Sequence, residues 1–162
     1  MATAAEIKNY AKPELNPIYS YKLEIDTTPS ASAPTWAALC AGIENVAEAL
    51  NEVIQQYFFL CGGGFAANYV TGMAPEFTLT GRRIIGDTAQ EYIFGKKYSP
   101  MKDRDTHLRI TRTAEDGTTA IVSANVTLVS LSDISGATTD GSAINIGLRF
   151  NGSPYAGDAW AQ

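Results

Sequence analysis

Apolar and polar positions alternate along most of this chain, the period-2 pattern of strands with one buried face. Tyr19, Tyr21, Leu23 and Ile25 alternate with Ser20, Lys22, Glu24 and Asp26. The pattern returns at Phe77 and Leu79 against Thr78 and Thr80, and at Leu108 and Ile110 between His107, Arg109 and Thr111. It runs longest where Ala120, Val122, Ala124, Val126 and Leu128 face away from Ser123, Asn125 and Thr127. Ile144, Ile146, Leu148 and Phe150 close the series against Asn145, Gly147 and Arg149. Asp116-Gly117 and Asp140-Gly141 are turn signals between these runs. One segment breaks the period. After Gly86, Asp87 is a good helix N-cap, and Gln90 stands where a capping-box partner belongs. Tyr92, Ile93 and Phe94 supply an apolar face, and Gly95 is placed to end the helix in the left-handed conformation. This pattern predicts one short helix over 87–95.

Residues 36–57 read two ways. Trp36, Leu39, Ile43, Val46, Leu50, Val53 and Tyr57 recur at helical spacing, although Gly42 inside a helix would cost about 1 kcal/mol relative to Ala. The β-propensity of Tyr57-Phe-Phe-Leu60 favours strand at the far end of the segment. Residues 62–73 open with three glycines and read as a flexible loop carrying Phe65, Tyr69 and Val70. Pro13 and Pro17 mark 1–17 as an N-terminal arm, and the Gly/Pro-rich stretch 151–162 reads as a C-terminal arm. The expected layout is one domain over 1–162, with a core over 18–150. Its fold class is mainly β with a short flanking helix, a β-sandwich or rolled barrel of about five to seven strands.

Composition sharpens this picture. Charged residues make up 18% of the 162-residue chain, against about 25% in an ordinary soluble domain, which fits a subunit with much surface buried in an assembly. The net charge of −5 argues against nucleic-acid binding by electrostatics. The charge is uneven. Residues 76–112 hold eight bases and five acids, 1–75 hold seven acids and three bases, and 113–162 hold five acids and one base. The middle is thus +3 between flanks of −4, and Arg82, Arg83, Lys96, Lys97, Lys102 and Arg104 are candidates for contact with an acidic neighbour. Phe65 and Tyr69 are candidates to reach a neighbour from the glycine loop.

Catalytic and metal-binding patterns are missing. The single histidine, His107, lies in a strand without a supporting constellation. Cys40 and Cys61 form no metal or redox motif and read as small buried side chains. Cys61-Gly-Gly-Gly-Phe lacks the Lys-Ser/Thr of a phosphate loop, and Asp103-Arg-Asp105 lacks the Gly and Glu that complete a calcium loop. No enzyme and no cofactor is expected. No window approaches 18 apolar residues, and the N-terminus has no apolar signal core, so the expectation is a chain made in a cytoplasm and not placed in a membrane.

The stretch Gly81-Arg-Arg-Ile-Ile-Gly-Asp-Thr-Ala-Gln-Glu-Tyr-Ile, followed by Ser135-Gly-Ala-Thr-Thr-Asp-Gly-Ser-Ala-Ile and Arg149-Phe-Asn-Gly152, resembles the major tail tube proteins of long-tailed bacteriophages. The resemblance runs from about Trp36 to Gly152. It implies strands at about 36–43 and 53–60 in place of the helix. It also implies rings, usually hexameric, that self-assemble into a stacked hollow tube in the virion tail, put together in the host cytoplasm. The implied partners are further copies of the chain and tape-measure, tail-terminator and tail-tip proteins. DNA would pass through the lumen unbound, repelled by an acidic wall. Two alternatives stand beside this one. The first is the tube of a contractile injection device or bacteriocin. The second, of another class, is a β-sandwich module binding sugar or protein through Trp36, Trp160 and tyrosines.

Overall fold

The computed structural model describes residues 1, 3 and 11–160. Among these are nine strands: β1 (Tyr21–Asp26), β2 (Trp36–Ala38), β3 (Ile43–Ala49), β4 (Val53–Phe58), β5 (Ala66–Gly72), β6 (Glu76–Arg82), β7 (Asp105–Thr113), β8 (Thr119–Ser132) and β9 (Ala143–Ala156). One α-helix, α1 (Thr88–Gly95), joins them. Seven strands form an antiparallel sheet in the order β2-β1-β7-β8-β9-β6-β3, while β4 and β5 pair only with each other. The large sheet curls into half a barrel. Its inner face carries Leu23, Ile25, Leu79, Leu108, Val126, Leu128, Ile144, Ile146 and Leu148, and α1 completes this core with Ala89, Ile93 and Phe94.

The helix forms where the sequence places it. Asp87 accepts a hydrogen bond from the Gln90 amide N–H at 3.1 Å. Two details differ from expectation. The Gln90 side chain does not return to the cap. It is fully buried and ties α1 to the loop after β2 and to the end of β6. Its amide donates to Ala41 O (2.8 Å) and Arg82 O (3.1 Å), and its oxygen accepts from Ile84 N (2.8 Å) and Arg83 Nη1 (3.3 Å). Gly95 ends the helix without entering the left-handed region. Lys96 is the C-cap, its N–H bonding Ile93 O and Phe94 O.

Residues 36–57 are extended, as the family resemblance implies, and the middle of the segment is strand as well. The helical spacing was coincidental: short strands separated by breaks at 39–42 and 50–52 imitate a 3.6 period. Gly42 belongs to this break. It adopts φ +75° and lies against β6, where Arg82 N donates to Gly42 O at 2.7 Å. A Cβ on Gly81 would fall 1.9 Å from that same Gly42 oxygen, so the close approach of the turn before β3 to the end of β6 needs glycine at both positions.

Other expectations are corrected. Tyr19 lies in a 3-10 turn before β1 and is exposed. Ala120 and Val122 are in β8 but exposed, because the sheet there runs past the core. Residues 62–73 are not a loop: β5 covers most of them and pairs with β4. Residue 151 does not begin an arm either. β9 continues to Ala156, its end pairing with Val122 and Ser123 of β8. Of the expected arm over 1–17, residues 2 and 4–10 lie outside the described residues, as do 161 and 162 of the C-terminal one. Cys40 and Cys61 are both exposed, since each lies in a break between strands and not on a core-facing position.

Candidate assembly surfaces

Strand alternation gives the large sheet an outer face, and the fold divides that face in two. Over β2, β1 and β7 it is covered. Glu24 and Asp26 point outward from β1 yet are buried. Arg109 donates to Glu24 and Asp158, both at 2.9 Å, and its guanidinium lies 4.5 Å from the Trp36 ring. Trp160 packs on Trp36 (5.4 Å) and His107 (4.6 Å). The segment 157–160 is therefore folded back over these strands, anchored where Ser123 Oγ donates to Gly157 O at 2.6 Å. Beneath it, His107 Nδ1 lies 2.8 Å from Asp26, whose other oxygen accepts the Thr28 and Thr35 amides. Burial raises the pKa of Asp26, but these hydrogen bonds together outweigh it and hold the carboxyl below its usual range.

Over β8, β9, β6 and β3 the outer face is open. Register places Asn45 and Ala47 beside Thr80 and Thr78, and these beside Asn145 and Gly147. Thr127 and Asn125 continue the face across Arg149 and Asn151. The surface is hydroxyl and amide, with Arg149 paired to Glu76 at 3.1 Å.

The β4–β5 hairpin is the second surface. It projects from the β3–β6 ribbon beyond a neck where Ala74 N donates to Leu50 O and Asn51 Nδ2 to Ala74 O. No residue of 50–74 is buried. Val53, Ile54, Phe58, Phe59, Leu60, Phe65 and Val70 all stand in solvent. An isolated two-stranded hairpin is marginal in water, and this many exposed apolar side chains on one hairpin make it a candidate interaction site.

The basic residues singled out from sequence do not form one patch. Arg83 is 13% exposed and pairs with Glu91 (3.0 Å) and Asp133 (3.5 Å) while lying over Phe94. Lys97, 14% exposed, meets Asp133 at 2.5 Å, and this carboxylate raises the lysine pKa. Arg104 donates to Ser99 O, Leu128 O and Lys97 O. Lys97 and Arg104 brace the 96–104 loop, and Arg83 braces the helix, within the chain. Arg82 is exposed beside Glu44 (3.5 Å), Lys96 lies over Tyr92, and Lys102 is exposed. Phe65 and Tyr69 are both exposed on the hairpin. Sequence reasoning expected a strand at about 53–60, which is β4, but missed β5 and therefore the hairpin, and passed over Val53, Ile54, Phe58 and Leu60 as surface. The available signal was their near-total lack of charge: Glu52 alone is charged in 50–74.

No family model matches the chain, and no curated protein matches its sequence. Solved structures do. The tail of an empty gene transfer agent particle, refined with C6 symmetry, aligns with a TM-score of 0.68 at 13% identity, over 89% of this chain and 100% of that one. The SPP1 tail tube aligns at 0.60 and 16% identity, over 85% and 77%. A chain of the PVC extracellular contractile injection system, from its extended sheath–tube complex, aligns at 0.55 and 17% identity, over 96% and 99%. The chain has the tail tube fold.

Proposed function

We propose that this chain is the structural subunit of a phage tail tube, a single domain over 1–162 that self-assembles into stacked hexameric rings. The observation that carries this reading is the unburied apolar hairpin on a fold shared with assembled tail tubes. A free monomer gains nothing from exposing Phe58, Leu60 and Phe65, whereas a subunit that docks them does. The role is structural and not enzymatic, and the tube is the conduit for genome delivery.

The open face of β8, β9, β6 and β3 lines the lumen in this reading. Thr78, Thr80, Asn125 and Asn145 give it neutral hydrogen-bonding groups and no row of cations to grip phosphate, so DNA slides past without specific binding. Phe65, Tyr69, Arg82, Lys96 and Lys102 meet neighbouring subunits directly. Lys97 and Arg104 hold the 96–104 loop, and Arg83 the adjoining helix, in shape for the same contact. Tape-measure, terminator and tip proteins are the further partners. Assembly takes place in the host cytoplasm and the product resides in the virion tail. The likeness to an injection-system chain favours a second reading, the tube of a contractile device.

Electron microscopy of the concentrated protein, with light scattering across a concentration series, tests the proposal. Hollow tubes or six-membered rings are expected. A 17.3 kDa monomer at every concentration and salt, even with preformed tail tips added as nuclei, refutes it. Co-assembly with a sheath protein would decide for the contractile reading.

A further inference from the structure

We propose that segment 157–160 is a proton-operated latch: a proton on His107 fastens it over β2, β1 and β7, and loss of that proton loosens it. The segment closes through few contacts. Gly157 N donates to Ile121 O at 2.8 Å, and Ala159 N to Ser123 Oγ at 3.2 Å. Asp158 pairs with Arg109 at 2.9 Å, and Trp160 rests on the rings of Trp36 and His107. None of the residues 157–160 is buried. A short segment held in this way opens at lower cost than the sheet beneath it.

His107 is the chain's single histidine, and it touches both layers. Its Nδ1 lies 2.8 Å from Asp26 below, and its ring centroid lies 4.6 Å from that of Trp160 above. Burial opposes ionisation of Asp26, but the Thr28 amide, His107 and the Thr35 amide together hold its carboxyl below the usual range. Asp26 is therefore an anion above about pH 4. A neutral imidazole can donate one hydrogen bond to it. An imidazolium adds an ion pair below the ring and attraction to the indole above it. The attraction to Trp160 exists only while the segment is closed. Closure also takes water from the ring, which works against the charge. However, the His107 side chain keeps 25% of its surface exposed, and excluding water from its pair with Asp26 strengthens that pair.

The surrounding charges act in the same direction. Glu24 from β1, Asp105 from β7 and Asp158 from the segment itself are acidic. Arg109 of β7 and Lys22 of β1 bring positive charge, but Glu24 and Asp158 engage the first and Glu24 the second. β8 presents Ser123, Asn125 and Thr127 on this side, and β2 presents Trp36, none of them charged. On the core side, burial raises the pKa of Tyr92 in α1, so its hydroxyl is neutral. Histidine changes charge between about pH 5 and 8. Closure gains as pH falls through that range and weakens as pH rises. With the segment lifted, the outer face of β2, β1 and β7 joins the open face of β8, β9, β6 and β3 in one surface. The latch lies within one chain, so it stands whether or not copies assemble.

Amide hydrogen exchange of the dilute, unassembled chain measures the opening, because the Gly157 and Ala159 amides lose their partners when the segment lifts. Their protection, taken relative to the intrinsic rate at each pH, should be about two- to five-fold higher at about pH 5.5 than at about pH 8, the size of one exposed cation–ring contact. His107→Gln, which keeps a donor for Asp26 but carries no charge, should remove the difference. Tryptophan emission gives a second readout, since both tryptophans of the chain, Trp36 and Trp160, lie in this cluster. Acrylamide should quench the parent more strongly at the higher pH and the His107→Gln variant equally at both. Equal protection at both pH values in the parent, or an undiminished difference in the variant, overturns the latch. So does protection at Gly157 as high as at Val126 in the core of β8, because the segment would then open only with the whole fold.

Discussion

Replacing Leu60 and Phe65 together by Ser should separate assembly from folding. Leu60 is 105% and Phe65 81% exposed, so the monomer loses no buried apolar area. Substitutions of this kind usually change stability by less than about 0.5 kcal/mol. For a chain of this size that is a shift of roughly 1–2 °C in Tm. The assembled state is different. Burying each side chain in a neighbour is worth about 1.5–3 kcal/mol, less about 0.5–1.5 kcal/mol for immobilising it. The net loss for the pair is about 2–4 kcal/mol. At about 1.4 kcal/mol per tenfold, the critical concentration should rise between one and three decades. Sedimentation over a concentration series measures the second effect, and thermal denaturation of the dilute monomer measures the first. A variant that melts far below the parent would show that the hairpin is packed in the fold. A variant that assembles at the parent's concentration would show that these two side chains meet no neighbour.

Three predictions concern the fold that holds these surfaces. Gln90→Leu removes four hydrogen bonds and strands Ile84 N–H and the Ala41 and Arg82 carbonyls. At about 1–3 kcal/mol per buried orphan, it should destabilise by roughly 3–5 kcal/mol, read as a lower urea midpoint at unchanged m; an unmoved midpoint would refute the clamp. Gly81→Ala should destabilise by about 1–3 kcal/mol through overpacking, because its Cβ meets Gly42 O at 1.9 Å, while Gly95→Ala, with open space around it, should stabilise the helix by about 0.5–1 kcal/mol; the reverse order would mean that Gly42 does not lie against the end of β6 as described. The depressed pKa of Asp26 contributes stability that is present above its unfolded value of about 4 and is lost as pH falls through the lower folded value; Asp26→Asn should flatten that acid limb, and acid titration of both proteins would expose an error if their limbs run parallel.

What the sequence determined by itself was local. The alternation in β6 and in the first half of β9, the turn at Asp116-Gly117, and the Asp87 cap of α1 all follow from steric and hydrogen-bonding rules spanning a few residues, whereas the turn signalled at Asp140-Gly141 closes earlier, between Ala137 and Asp140. Such rules do not extend to partners far along the chain. Residues 36–57 imitate a helix until β1, β6 and β5, which bond to their three strands, are in place. Glu24 and Asp26 look like a solvated strand face until Arg109, His107 and the returning segment 157–160 cover them. Gln90 has the spacing of a capping box, yet its amide serves three backbone groups that the close approach of Gly42 to Gly81 brings around it. Arg83 and Lys97 look like an outward basic patch, but Asp133, 50 and 36 residues later, lies against both of them. Tertiary structure decided these cases because burial and ion pairing depend on which distant segments share a volume. It also left β4–β5 uncovered, with apolar side chains that only a surface outside the monomer can bury.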